Sequence, residues 1–106
     1  MNFRFMRTIL FFDLPVLTSK DKKAYRHFIK DIKKLGFYRI QKSVFVKLTI
    51  DPQLIEGLET KIRSVLPNDG NIAILTITEK QFSNIKYLLG DSTSEILSTD
   101  ERNIEI

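Results

Sequence analysis

The sequence predicts an α+β domain in which two helices lie on one face of an antiparallel sheet. Three observations carry this. Arg7-Thr8-Ile9-Leu10-Phe11-Phe12-Asp13 runs an apolar segment straight into a carboxylate, the pattern of a central strand buried on both faces. Ala24, Tyr25, Phe28, Ile29, Ile32 and Leu35 then recur at helical spacing. From Phe37 the period switches to two.

The elements follow in order. The first strand is expected from about Arg4 to Phe12, with Phe11 and Phe12 as core residues. A carboxylate inside such a strand is costly unless paired. Asp13 is therefore placed at the strand's end, where hard cations find oxygen ligands. Pro15 fixes the following loop, and Thr18 with Asp21 forms a capping box that opens the first helix. Gly36 ends that helix. Over Phe37 to Ile50, Ile40, Val44, Val46, Leu48 and Ile50 point one way and Arg39, Gln41, Ser43, Lys47 and Thr49 the other, with Phe45 the exception. This run fits one long strand or two joined by a tight bend near Lys42.

Asp51-Pro52 opens a second helix, aspartate as cap and proline at the first helical position. Its apolar stripe is Leu54, Ile55, Leu58, Ile62, Val65 and Leu66. Pro67-Asn68-Asp69-Gly70 is a turn, and Asn71 to Ile77 is a buried strand. Thr78 and Gln81 make another capping box for a short helix, with Phe82, Ile85 and Leu89 inward and Gly90 at its end. The order strand, helix, strand (one or two), helix, strand is the ferredoxin-like βαββαβ plan with a short extra helix. The division is a domain over 1–90 and a polar tail over 91–106. Ile104 and Ile106 give that tail a short last strand, able to pair with its own sheet or a partner's.

At 106 residues the chain fits one domain, which buries roughly two-thirds of the surface its unfolded form exposes. It contains no cysteine, which excludes disulfides and thiolate metal sites and fits a reducing cytoplasm. No secretory signal and no membrane span are expected. Charge is divided unevenly. Residues 1–50 carry twelve Lys/Arg against three Asp/Glu, and residues 51–106 carry five against ten. Lys20, Lys22, Lys23, Arg26, Lys30, Lys33 and Lys34 fall on the outward face of the first helix, with Arg39 and Lys42 following. Such a surface gains affinity for duplex DNA by releasing counterions. Nothing in it is arranged to read bases, so binding is expected to be largely sequence-independent. The lone histidine, His27, is expected to be a partly exposed helix residue. No nucleophile triad, phosphate-cradling glycine loop or zinc spacing occurs.

The first strand ending in Phe12-Asp13, Tyr25-Arg26-His27-Phe28, Gln41-Lys42-Ser43-Val44-Phe45, the segment from Gly70 to Phe82 and Asp100-Glu101-Arg102 together resemble a known family. This is the small CRISPR-associated subunit of the spacer-acquisition complex, the partner of the CRISPR integrase, in the version carried by type II systems. The resemblance implies a homodimer of ferredoxin-like protomers whose last strand adds to the other subunit's sheet. It implies that the dimer sits between integrase dimers and holds duplex DNA across its surface. It further implies a metal-dependent nuclease site, with Asp13 at the family's ligand position.

A single carboxylate makes a poor magnesium site, because the ion takes one or two carboxylates plus waters and phosphates. Two copies of Asp13 meeting at a twofold axis would bind Mg2+, which polarises a phosphate and activates water. A loop-capping role for Asp13 is the alternative. DNA-binding positions are expected at Lys20, Lys22, Lys23, Arg26, Lys30, Arg39 and Lys42. The tail residues Asp100, Glu101, Arg102, Ile104 and Ile106 are expected to contact partners, its carboxylates docking a basic integrase. Two principal functions follow: an architectural DNA-binding homodimer that bridges integrase subunits, and a magnesium-dependent endonuclease using Asp13 from both subunits. A regulatory domain binding a metabolite is the third.

Overall fold

A computed structural model describes residues 5–91. The elements are β1 (Met6–Asp13), α1 (Ser19–Lys34), β2 (Tyr38–Gln41), β3 (Val44–Thr49), α2 (Gln53–Arg63), β4 (Asn71–Thr78) and α3 (Glu79–Ser83). The strands form one antiparallel sheet in the order β2-β3-β1-β4, the ferredoxin-like arrangement. The Phe37–Ile50 run is thus two strands, bent at Lys42-Ser43. The expected tail strand, with Ile104 and Ile106, lies outside the described residues.

β1 is central, pairing with β3 along Met6–Phe11 and with β4 along Met6–Asp13. Its alternate side chains serve two different faces. Leu10 and Phe12 enter the main core with Phe45 of β3, Phe28, Ile29 and Ile32 of α1, and Leu58 and Ile62 of α2. Phe12 is the hub of an aromatic cluster, its ring 5.9 Å from Tyr25, 6.0 Å from Phe28 and 5.9 Å from Phe45. Buried Thr8 satisfies its hydroxyl against Thr76 at 2.9 Å.

The other face differs from the expectation. Ile9, Ile40 and Val46 form a second, smaller cluster there, covered by Phe82 of α3. Beyond it the sheet is open: Phe11 is 39 % exposed and Leu75 51 %. β1 is therefore buried on both faces only at its middle, and Phe11 is not a core residue. Phe45, the residue that broke the period-two pattern, is fully buried because it points to the helix side. Leu48 and Ile50 on that run are exposed, as are Leu54 and Leu66 of the α2 stripe and Ala24 of the α1 stripe. α3 is also shorter than expected, ending at Ser83, which leaves Ile85 and Leu89 exposed rather than inward, Leu89 at 96 %.

Local chemistry explains the ends. The Thr18 hydroxyl accepts from the Asp21 N–H at 3.0 Å, and the Asp21 carboxylate accepts from the Thr18 N–H at 3.2 Å. Thr78 and Gln81 repeat this reciprocal pair on α3. α2 starts at Gln53 with Pro52 at its cap position in helical conformation, and Asp51 just before them accepts from the Gln53 N–H through its Oδ1 at 2.9 Å. Arg7 ties α3 to the sheet: its guanidinium donates to Glu79 at 2.6 and 3.2 Å and to the Tyr38 hydroxyl, and lies 4.6 Å from the Phe82 ring centroid. The hydrogen bond to Glu79 leads the interactions that raise the Arg7 pKa above its ordinary value, against the lowering effect of burial.

Two outcomes follow. Phe12→Ala should cost about 3–5 kcal/mol in urea unfolding, whereas Leu54→Ala should cost under about 0.5 kcal/mol. Glu79→Gln should lower amide-exchange protection in α3 by about 1 kcal/mol and leave β1 protected, because the lost ion pair acts locally.

Candidate nucleic-acid interface and strand-end carboxylate

The end of β1 gathers several segments. Asp13 is its last residue and stands opposite Asn71, the first of β4. The β2–β3 bend reaches the same end, where the Phe12 N–H donates to the Ser43 carbonyl at 3.1 Å. The loop from Leu14 to Thr18 then crosses to the N-terminus of α1. Leu14, Pro15, Lys20, Asp21, Tyr25 and the 67–69 turn enclose a cleft there.

Asp13 is exposed beside Phe11, Ala73 and Asn71, on the open side of the sheet. The strand-end position expected for it is the observed one. Among the described residues no group of three or more His, Cys, Asp or Glu side chains gathers as a metal cage. One protomer therefore supplies a single carboxylate to a cation, which fits Mg2+ only with further oxygen donors from substrate, water or a second chain.

The basic residues occupy the opposite side. α1 buries Phe28, Ile29 and Ile32 and turns Lys20, Lys22, Lys23, Arg26 and Lys30 to solvent. The first three lie in the helical turns nearest the Asp13 end, and exposed Lys42 sits at that end on the β2–β3 bend. Arg39 differs from these. Its guanidinium lies 4.8 Å from the Phe45 ring centroid and donates to the Tyr25 hydroxyl at 3.3 Å, so its side chain packs into the fold beside α1. His27 is exposed, as expected. Asp100, Glu101, Arg102, Ile104 and Ile106 lie outside the described residues. Among the described residues no helix is long and apolar enough to cross a membrane.

Two features of this region escaped sequence reasoning. Phe11, Ala73 and Leu75 form an open apolar strip where the sequence pattern predicts buried strand, since a two-faced apolar strand looks the same whichever layer covers it. β4 is an edge strand, with no strand beside its outer side among the described residues; strand order is not written in any local pattern.

Comparison with known proteins agrees with this architecture. Residues 6–85 match the family model described as CRISPR associated protein Cas2. Three similar proteins bear the name CRISPR-associated endoribonuclease Cas2. That of Ligilactobacillus salivarius is 40 % identical over 93 % of this chain and 98 % of its own length. That of Treponema denticola is 40 % identical over 92 % of this chain and 96 % of its own. That of Streptococcus mutans (strain ATCC 700610 / UA159) is 39 % identical over 92 % and 89 %. With the model matched across the whole sheet and both long helices, and relatives of this similarity aligned nearly end to end, the chain belongs to the CRISPR-associated Cas2 family.

Proposed function

We propose that this Cas2 protein acts as a homodimer that grips duplex DNA by its backbone and bridges integrase subunits during spacer acquisition. The observation that carries the DNA-binding part is the outward face of α1, where Lys20, Lys22, Lys23, Arg26 and Lys30 are all exposed on one rigid, capped helix. Regularly spaced cations on one face suit a repeating phosphate lattice and carry no base-specific geometry. Lys42 extends the set on the strand side. The acidic tail, with Asp100 and Glu101, is the proposed contact for a basic integrase surface.

Dimerisation is supported by the other face of the sheet. Phe11, Ala73 and Leu75 present an apolar strip, and the free edge of β4 has backbone groups to offer a strand. A second copy laid on this face, with Ile104 and Ile106 of its last strand added along β4, covers both. α1 and α2 lie on the opposite face, so both α1 surfaces remain outward and the cationic area doubles.

The second reading is a metal-dependent nuclease, favoured by the exposure of Asp13 at the margin of that apolar strip and by the endoribonuclease name of the relatives. A dimer built on the strip brings two Asp13 carboxylates toward one axis. Together they would hold Mg2+, whose contribution when bound is to polarise a phosphodiester and lower the pKa of water. The chain's own contribution to that site would be Asp13, which would hold the cation, while the α1 cations would bind nucleic acid on the other side of the sheet.

Two tests separate the readings. Reversing Lys20, Lys22 and Arg26 to glutamate should weaken binding to unrelated duplex sequences alike. If each subunit neutralises roughly five phosphates, the dimer's log–log salt slope is about −9, and the triple variant's should be shallower by roughly half. Unchanged affinity at low salt would remove α1 from the interface. Asp13→Ala should leave duplex binding within about twofold, since a carboxylate makes no favourable phosphate contact. It should abolish any Mg2+-dependent cleavage of RNA or DNA. Cleavage that survives the substitution would exclude Asp13 as its catalyst.

A further inference from the structure

The turn from Pro67 to Gly70 packs against the end of β1 in a way that singles out Gly70. Its φ is +107°, in the left-handed region that L side chains rarely adopt. A Cβ built there would lie 2.8 Å from the Asp13 carbonyl oxygen, 2.6 Å from the Leu14 Cδ2 and 3.3 Å from the Leu14 Cα. Two of those three atoms are backbone, so they cannot swing aside as a side-chain tip can. Asn71 follows at once and is the register partner of Asp13. Any side chain at 70 must therefore part the 67–70 turn from the backbone of residues 13 and 14.

Gly36 provides a natural comparison. Its φ is +101°, so its backbone demand matches that of Gly70. Its added Cβ would meet only the flexible Lys47 side chain, the Nζ at 2.5 Å. It follows α1 directly, on the far side of the core from the β1 end. The two glycines share conformational strain and differ in what a methyl group would displace.

We propose that Gly70 is a positioning residue for Asp13: by lacking a side chain it lets the 67–70 turn close onto the Asp13 carbonyl and Leu14, and so fixes the direction in which the Asp13 carboxylate leaves the sheet. The proposal deepens the metal-site reading given above and rests on it. A displaced strand end leaves the carboxylate in place chemically but misdirected, which weakens cation binding without removing a ligand.

The test uses the full chain and Mn2+ as the probe, followed by paramagnetic broadening of backbone amide signals at Asp13, Leu14 and Asn71. Gly70→Ala and Gly36→Ala should both lower the melting temperature, because both force an L side chain into the same backbone region, and Gly70→Ala should lower it more because its Cβ also meets backbone. Only Gly70→Ala should raise the Mn2+ midpoint, by about tenfold, the size expected when a ligand's support is disturbed. Gly70→Asn is the second variant, since asparagine tolerates left-handed backbone but still carries the Cβ; it should reproduce the shifted midpoint with a smaller loss of melting temperature. A Gly70 variant that titrates like Gly36→Ala would overturn the positioning role and leave the Asp13 reading intact. Collapse of both Gly70 variants while Gly36→Ala folds would assign Gly70 to the fold at large and overturn it too. Broadening that persists in Asp13→Ala, or its absence from the unaltered protein, would remove both the metal-site reading and the role of Gly70.

Discussion

The structure depends on β1 being hydrogen-bonded on both edges while its two faces meet different surroundings. The helix side of the strand carries Leu10 and Phe12 into a dense aromatic and aliphatic core. The other side is covered at Arg7 and Ile9, by Glu79 and Phe82 of α3, and then emerges as Phe11 and Asp13. A strand held along its length by both neighbours cannot slip by one residue without exchanging these two sets. The register that buries Phe12 is therefore the register that exposes Asp13. Aromatic packing around Phe12 and the position of the carboxylate beside it are one constraint.

That constraint also separates the two surfaces on which the proposed functions rest. The cationic face of α1 and the apolar strip with Asp13 lie on opposite sides of the sheet. Charge and apolar area thus do not compete for the same ground. Phosphates can approach α1 while a second chain covers Phe11, Ala73 and Leu75. α3 marks the inner limit of that strip, held by the Arg7 guanidinium between Glu79, Tyr38 and the Phe82 ring.

Much of this was legible in the sequence, and the reasons are local. Capping boxes at Thr18 and Thr78 and the glycine after α1 are short-range signals that sit where expected, and the Asp51-Pro52 start is displaced by one residue, with Pro52 at the cap position. Asp13 at the strand end follows from the cost of placing a carboxylate among apolar residues. What failed was long-range. Phe11 has the same neighbours in sequence whether it faces a core, a partner or water. Leu89 extends an apparent helical stripe, but α3 stops at Ser83. Arg39 reads as one more cation until Phe45 and Tyr25 are placed beside it. The Arg7–Glu79 pair spans a separation in sequence that no motif records.

The central claim is that the open face of the sheet belongs to an interface between two copies of this chain, with the α1 cations turned outward. Native mass measurement at micromolar concentration tests it most directly, on the unaltered protein and on a Phe11→Glu, Leu75→Glu variant whose circular dichroism is unchanged. The account predicts a dimer for the former, binding one duplex as a unit, and a folded monomer for the latter. A folded, monomeric unaltered protein, or a variant that stays dimeric with charges on that face, would contradict it.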